Sequence, residues 1–157
     1  TWAETLAESA VLEAHEGCVN RLTLNVEKRL LASVSDDLHL CLWDVDSAVS
    51  NRGTLRDPIV RHYTEHVGNI FGVAFVPESE SIATGAMDNA VHLHQYDAAG
   101  QLVTSASKAI HGGRVKEVVS SKLLPHLFFS ASEDGSVSRF DERTFDGQLD
   151  RVVSFSP

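Results

Sequence analysis

Three stretches of this 157-residue chain repeat one arrangement of polar residues, and that repetition limits the fold more than any other feature. The stretches are 15–44, 66–95 and 111–141. Each opens with a histidine (His15, His66, His111), carries a hydroxyl on its second apolar run (Ser33, Thr84, Ser130) and places an aspartate in an acidic turn (Asp37, Asp88, Asp134). Between these marks run short segments in which apolar residues alternate with polar ones, as in Val19, Leu22, Leu24 and in Ile70, Val73, Phe75. A period of two gives a strand one buried face, so strands rather than helices are expected. The turns Ser35-Asp36-Asp37, Met87-Asp88-Asn89 and Glu133-Asp134-Gly135 hold residues that accept hairpin geometry.

A unit of about 40 residues with four short strands, repeated in tandem, predicts an all-β propeller. The units are expected at 15–64, 66–109 and 111–155, as three consecutive four-stranded antiparallel blades of an incomplete ring. Residues 9–13 are expected as the outer strand of a preceding blade. Ile59 to Thr64 reads as an edge strand, and 151–155 as the start of the last outer strand. The polar stretch Asp46 to Pro58, with its glycine and proline, reads as a long outer loop. Propellers close with about four to eight blades. Three units therefore predict a natural protein that continues, with seven blades as the expectation, and a piece that is marginal or aggregating alone.

Composition narrows the partners. Asp and Glu number 22 against 13 Lys and Arg, a formal charge of −9, and no basic run offsets it, so direct binding to a nucleic-acid backbone is not expected. No apolar run approaches the roughly 18 residues of a membrane span. The first ten residues carry two glutamates and no basic cluster ahead of an apolar stretch, unlike a secretory leader. Cys18 and Cys41 have no CxxC spacing, which fits a reducing compartment, cytoplasm or nucleus.

With Trp43-Asp44 closing the first unit, the frame resembles the WD-repeat family. The resemblance implies a buried relay in which the turn aspartate binds the histidine, the histidine binds the hydroxyl, and the hydroxyl receives an indole N–H. In the first unit the four members are His15, Ser33, Asp37 and Trp43. The second has His66, Thr84 and Asp88 but holds His94 in the tryptophan slot, which leaves its last hydrogen bond open. The third has His111, Ser130 and Asp134, one extra residue between the histidine and the turn, and Phe140, which fills the slot without donating. The first relay is expected to be the best ordered, with the other two leaning on apolar packing.

Ser33, His15 and Asp37 also imitate a hydrolase triad. Catalysis would require an exposed serine, an oxyanion hole and commonly a GxSxG elbow, and the chain has no such elbow. Three copies at matched spacing point to a structural role, so no catalytic residue is assigned. The pairs His62/His66 and His92/His94 invite a metal reading, since His92 and His94 share a strand face. No third ligand is apparent from the sequence, and neither metal nor cofactor is expected.

One stretch stands apart, Phe140-Asp141-Glu142-Arg143. With Asp134 it resembles the Asp, then Trp-Asp-x-Arg motif of WD-repeat substrate receptors that dock on the adaptor of cullin-4 ubiquitin ligases. Phrases from Leu12 to Arg143, such as Gly17-Cys18-Val19-Asn20 and Asn69-Ile70-Phe71, are similar to the adipose-type WD and tetratricopeptide repeat proteins and related cullin-4-associated factors. Ala14, where most members have glycine, and Phe140 depart from that pattern. The resemblance implies a substrate receptor whose partner-binding residues are Asp134, Phe140, Asp141 and Arg143. Its partners would be the ligase adaptor and protein clients, histones among the candidates. The alternative is a general scaffold of chromatin or signalling complexes that does not dock on a ligase.

Overall fold

The computed structural model describes residues 10–50, 53–145 and 150–154. Ser9 and Phe155, at the ends of two expected strands, lie outside them. The described chain is almost entirely strand. Blade one comprises β2 (Val19–Asn25), β3 (Leu30–Ser35), β4 (His39–Asp44) and β6 (Val60–Tyr63), paired in that order. Blade two comprises β7 (Ile70–Phe75), β8 (Ile82–Ala86), β9 (Ala90–Tyr96) and β10 (Leu102–Ala109). Blade three comprises β11 (Val115–Ser120), β12 (Leu127–Ser132), β13 (Ser136–Asp141) and β14 (Asp150–Ser154). All pairings within the blades are antiparallel.

Strict alternation does not hold in the inner strands. Each carries a register shift at the same place, between Val19 and Arg21, Ile70 and Gly72, and Val115 and Glu117. An extra residue there returns the chain to the same face three positions on rather than two. This accounts for the spacing of Val19 to Leu22, Ile70 to Val73 and Val115 to Val118. The outer stretch 46–58 also differs from the expected loop. Asp44 accepts the amide of Ser47 at 2.6 Å and starts a short helix, α1 (Val45–Ser50). Beyond it β5 (Gly53–Leu55) pairs in parallel with β1 (Ala10–Leu12) as a separate two-stranded sheet.

Burial lies between the blades. Ala32, Val34, Leu40 and Leu42 of blade one pack on Ile70, Val73, Ile82, Ala86 and Leu102 of blade two. The opposite face of blade two, with Ala74, Val76, Ala83, Val91 and Leu93, packs on Val115, Val118, Phe128, Phe140 and Phe145. Blades two and three approach most closely at Gly72, where a Cβ would sit 2.6 Å from the Val118 amide nitrogen, and at Gly85, where it would collide with Val115. Leu22 and Leu24, on the far face of blade one, remain more than half exposed.

Candidate functional site

The relay residues are far apart in sequence, and hairpin registry brings them together. In blade one, β2 delivers the chain after His15, Ser33 lies in the middle of β3, and Trp43 lies near the end of β4, two positions beyond Ser33's cross-strand partner Cys41. Asp37 sits in the tight turn between β3 and β4. Its carboxylate receives the His15 Nδ1–H at 3.1 Å and the Glu16 amide at 2.9 Å. Burial pushes this carboxyl up, but the amides of Glu16 and His39 and the His15 ring outweigh it and hold it below its ordinary value. An ionised carboxylate only accepts, so the proton belongs on Nδ1 of the neutral ring. The bare Nε2 then accepts the Ser33 hydroxyl at 2.8 Å, and the Ser33 oxygen accepts the Trp43 indole N–H at 3.0 Å. Every donor meets an acceptor inside, which avoids about 1–3 kcal/mol for each group left unpaired.

Blade two completes the relay with a different donor. Asp88 binds the His66 Nδ1 at 2.9 Å, and His66 Nε2 accepts the Thr84 hydroxyl at 2.9 Å. The bond left open by the sequence is supplied by His94, whose Nε2 lies 2.8 Å from the Thr84 oxygen in the place of the indole. The expectation that this blade leans on apolar packing is therefore corrected. An imidazole N–H donates as an indole does, and fully buried His94 fills the slot. Burial raises the Asp88 carboxyl, yet the His66 ring and the amides of Val67 and Ala90 pull it down to about 2.

Blade three inserts one more hydroxyl. Ser136, which the sequence did not single out, donates to Asp134 and accepts His111 Nδ1–H at 2.8 Å, while His111 Nε2 accepts the Ser130 hydroxyl at 2.7 Å. The direct separation of His111 and Asp134 is 3.6 Å. Phe140 fills the last slot and stacks on Phe128 and Phe145 with centroids 4.8 and 5.5 Å away. Apolar packing does replace the indole bond here.

Exposures of 3% for Ser33, 0% for Thr84 and 1% for Ser130 leave no approach for a substrate. The three relays are interior ties. His66, Asp88 and His92 do bring three nitrogen and oxygen atoms within 4.8 Å of one another. Both His66 nitrogens are spent on the relay, and the His92 ring lies parallel to it at 3.7 Å, its Nδ1–H given to the Thr64 carbonyl. Lone pairs of parallel stacked rings do not converge on one point, so the group is organised by the relay rather than as ligands.

The four residues read as partner-binding divide three ways. Phe140, 1% exposed, is core, and its side chain has no face to offer a partner. Asp134 lies at the opposite end of β13 from Arg143, and its carboxylate is taken by Ser136 and the Gly112 amide. Those two assignments are corrected: strand direction separates Asp134 from the motif it was grouped with, and alternation turns Phe140 inward.

Asp141 and Arg143 remain together on the surface. Asp141 caps a 3₁₀ turn, Glu142–Thr144, by accepting the Arg143 amide. It also grips the guanidinium with both oxygens, at 2.9 Å from Nε and 2.6 Å from Nη2. That pairing is the main force that draws the Asp141 carboxyl down to about 2. Arg143 keeps 60% of its side chain exposed, so the fork is oriented and still accessible. In blade one Asp46 stands at this place and pairs instead with Arg29.

The spacer residue of the motif, Glu142, also has a function that the sequence did not show. Its carboxylate, 9% exposed, accepts Ser81 Oγ at 2.8 Å and Gln95 Nε2 at 3.3 Å from blade two, and meets His126 Nδ1 at 3.0 Å. The turn that carries Arg143 is thus pinned to the neighbouring blade. At the same end of the strands a concavity of about 610 Å³ opens between the inner turns, lined by Lys28, Phe75, Glu80 and Lys122 among others.

Comparison with known proteins agrees with this geometry. Residues 7–44 and 58–95 match the WD domain, G-beta repeat family. WD and tetratricopeptide repeats protein 1 of Homo sapiens is 34% identical over 140 residues, 88% of this chain and 19% of that protein. Protein ALTERED SEED GERMINATION 2 of Arabidopsis thaliana is 34% identical over 147 residues, 88% of this chain and 18% of that protein. DDB1- and CUL4-associated factor 6 of Homo sapiens is 27% identical over 142 residues, covering 89% and 16%. The chain spans under a fifth of the length of each.

Proposed function

We propose that this chain, whose residues 7–44 and 58–95 match the WD domain, G-beta repeat family, is a protein-interaction scaffold that docks on the adaptor of a cullin-4 ubiquitin ligase. In this reading it is a substrate receptor inside the cell, with clients held elsewhere on the propeller. Arg143 is the docking contact. The observation that carries the proposal is its geometry: an exposed guanidinium, preset by a two-oxygen grip from Asp141 two residues before it, whereas the guanidinium that Asp46 grips in blade one comes from Arg29, on the turn before β3. Glu142 fixes the turn beneath it. The similarity to DDB1- and CUL4-associated factor 6 supports the same direction.

An ion pair this exposed adds little to folding, because water screens it. Arg143→Ala in the full-length protein should therefore abolish co-purification with the adaptor while leaving the melting temperature nearly unchanged. Undiminished capture by the variant would exclude Arg143 as the contact and favour a general scaffold without ligase docking.

A further inference from the structure

The joint between the outer strands of blades one and two gathers four imidazoles. His62 comes from β6, His66 from the connection into blade two, and His92 and His94 from β9. His66 and His92 stack at 3.7 Å, His62 meets His94 edge-on at 5.1 Å, and His92 and His94 lie 6.3 Å apart. His66 and His94 are fully buried, and His92 is 5% exposed. In blade one, by contrast, the positions of His92 and His94 hold Cys41 and Trp43, neither of which takes up a proton near neutrality.

A hydrogen-bonded chain crosses the joint. It runs from Asp88 through His66, Thr84 and His94 to Thr104, 3.3 Å from His94 Nδ1, and on to His62 Nε2, 3.3 Å from the same Thr104 hydroxyl. Asp88 fixes the proton on His66 Nδ1, so Thr84 donates to His66 and His94 donates to Thr84. His94 Nδ1 is then left bare, facing Thr104, whose hydroxyl also lies 3.2 Å from the Thr64 carbonyl. The charged and titratable groups around the rings are few. Asp88 is already engaged by His66 and by the amides of Val67 and Ala90. Glu65 acts on His62 and His92 from the connection, and His39 of β4 lies beside His62. A second proton on His94 would place a charge among three other imidazoles with no carboxylate of its own.

We propose that this four-histidine joint is an acid-released latch, in which neutral rings hold the outer strands of blade two against blade one and protonation loosens them. Burial pushes His94 well below the ordinary imidazole value, and the neighbouring rings push it further in the same direction. Burial likewise lowers His62 and His92. An unfolded imidazole takes its proton near pH 6.5. The folded rings resist it to lower pH, so the stability they carry is complete above about pH 6.5 and is lost as the pH falls below that value. For His94 alone the drop in the folding constant by pH 5.5 is at most about tenfold, the limit set by the unfolded imidazole.

The test uses the full-length protein and its His94→Trp variant, which puts into blade two the donor that blade one uses. Urea unfolding at pH 7.5 and 5.5 should show the unaltered protein losing several-fold more of its folding constant than the variant, up to a ceiling of about tenfold. Amide protection measured on the unaltered protein should fall at pH 5.5 in β6 and β9 ahead of β3 and β4. Equal pH dependence in the two proteins, or a loss of protection spread evenly over both blades, would overturn the proposal. If the variant does not fold, the protection pattern of the unaltered protein decides alone.

Discussion

Replacing Thr84 with valine should lower the stability of the fold by about 2–6 kcal/mol, although the two side chains have nearly the same shape. The hydroxyl serves two rings at once, accepting from His94 Nε2 and donating to His66 Nε2. A methyl group in its place leaves both nitrogens buried without a partner, at about 1–3 kcal/mol each. Urea denaturation of the full-length protein measures the loss. A change below about 0.5 kcal/mol would mean that water reaches these nitrogens and that the relay is not an interior tie.

Phe140→Ala is expected to cost about 3–5 kcal/mol, as truncation of a buried aromatic does. Its ring closes a stack with Phe128 and Phe145 at the core between blades two and three, 1% exposed. The size of the loss separates two roles for the aromatic of the Phe-Asp-Glu-Arg stretch. A core residue lowers stability, and lowers partner capture only in proportion to the unfolded fraction. A contact residue lowers capture with the fold intact. Thermal melting together with adaptor capture at a temperature where the variant is folded distinguishes them, and the structure predicts the first pattern.

Much of this architecture is legible in the sequence because it is repeated. One histidine, hydroxyl and aspartate carry little information, but three sets at nearly matched spacing, separated by apolar runs, specify hairpins that converge. The bulges are the exception: the three-residue steps from Val19 to Leu22 and from Ile70 to Val73 mark them, but read as plain alternation they pass unnoticed. Phe140 could have been turned inward by counting in twos from Ser136 and Ser138, all on one face of β13. His94 as a donor follows from its ring chemistry alone.

Other features left no such mark. Ser136 is one of two serines in its strand, and only its position between His111 and Asp134 makes it part of the relay. Glu142 reads as a spacer until the neighbouring blade brings Ser81 and Gln95 to its carboxylate. The pairing of β1 with β5 joins three-residue segments about 40 positions apart, too short to carry a periodic signal.

The repeated histidines His15, His66 and His111 are locked inside as ties between strands. The most direct test is nitrogen-15 NMR of the imidazoles in the full-length protein at neutral pH. His15 and His66 should each appear as a single tautomer with the proton on Nδ1, in slow exchange with water, because an ionised carboxylate holds that proton and a buried hydroxyl faces the other nitrogen. Rings that average between tautomers and exchange freely with water would contradict it.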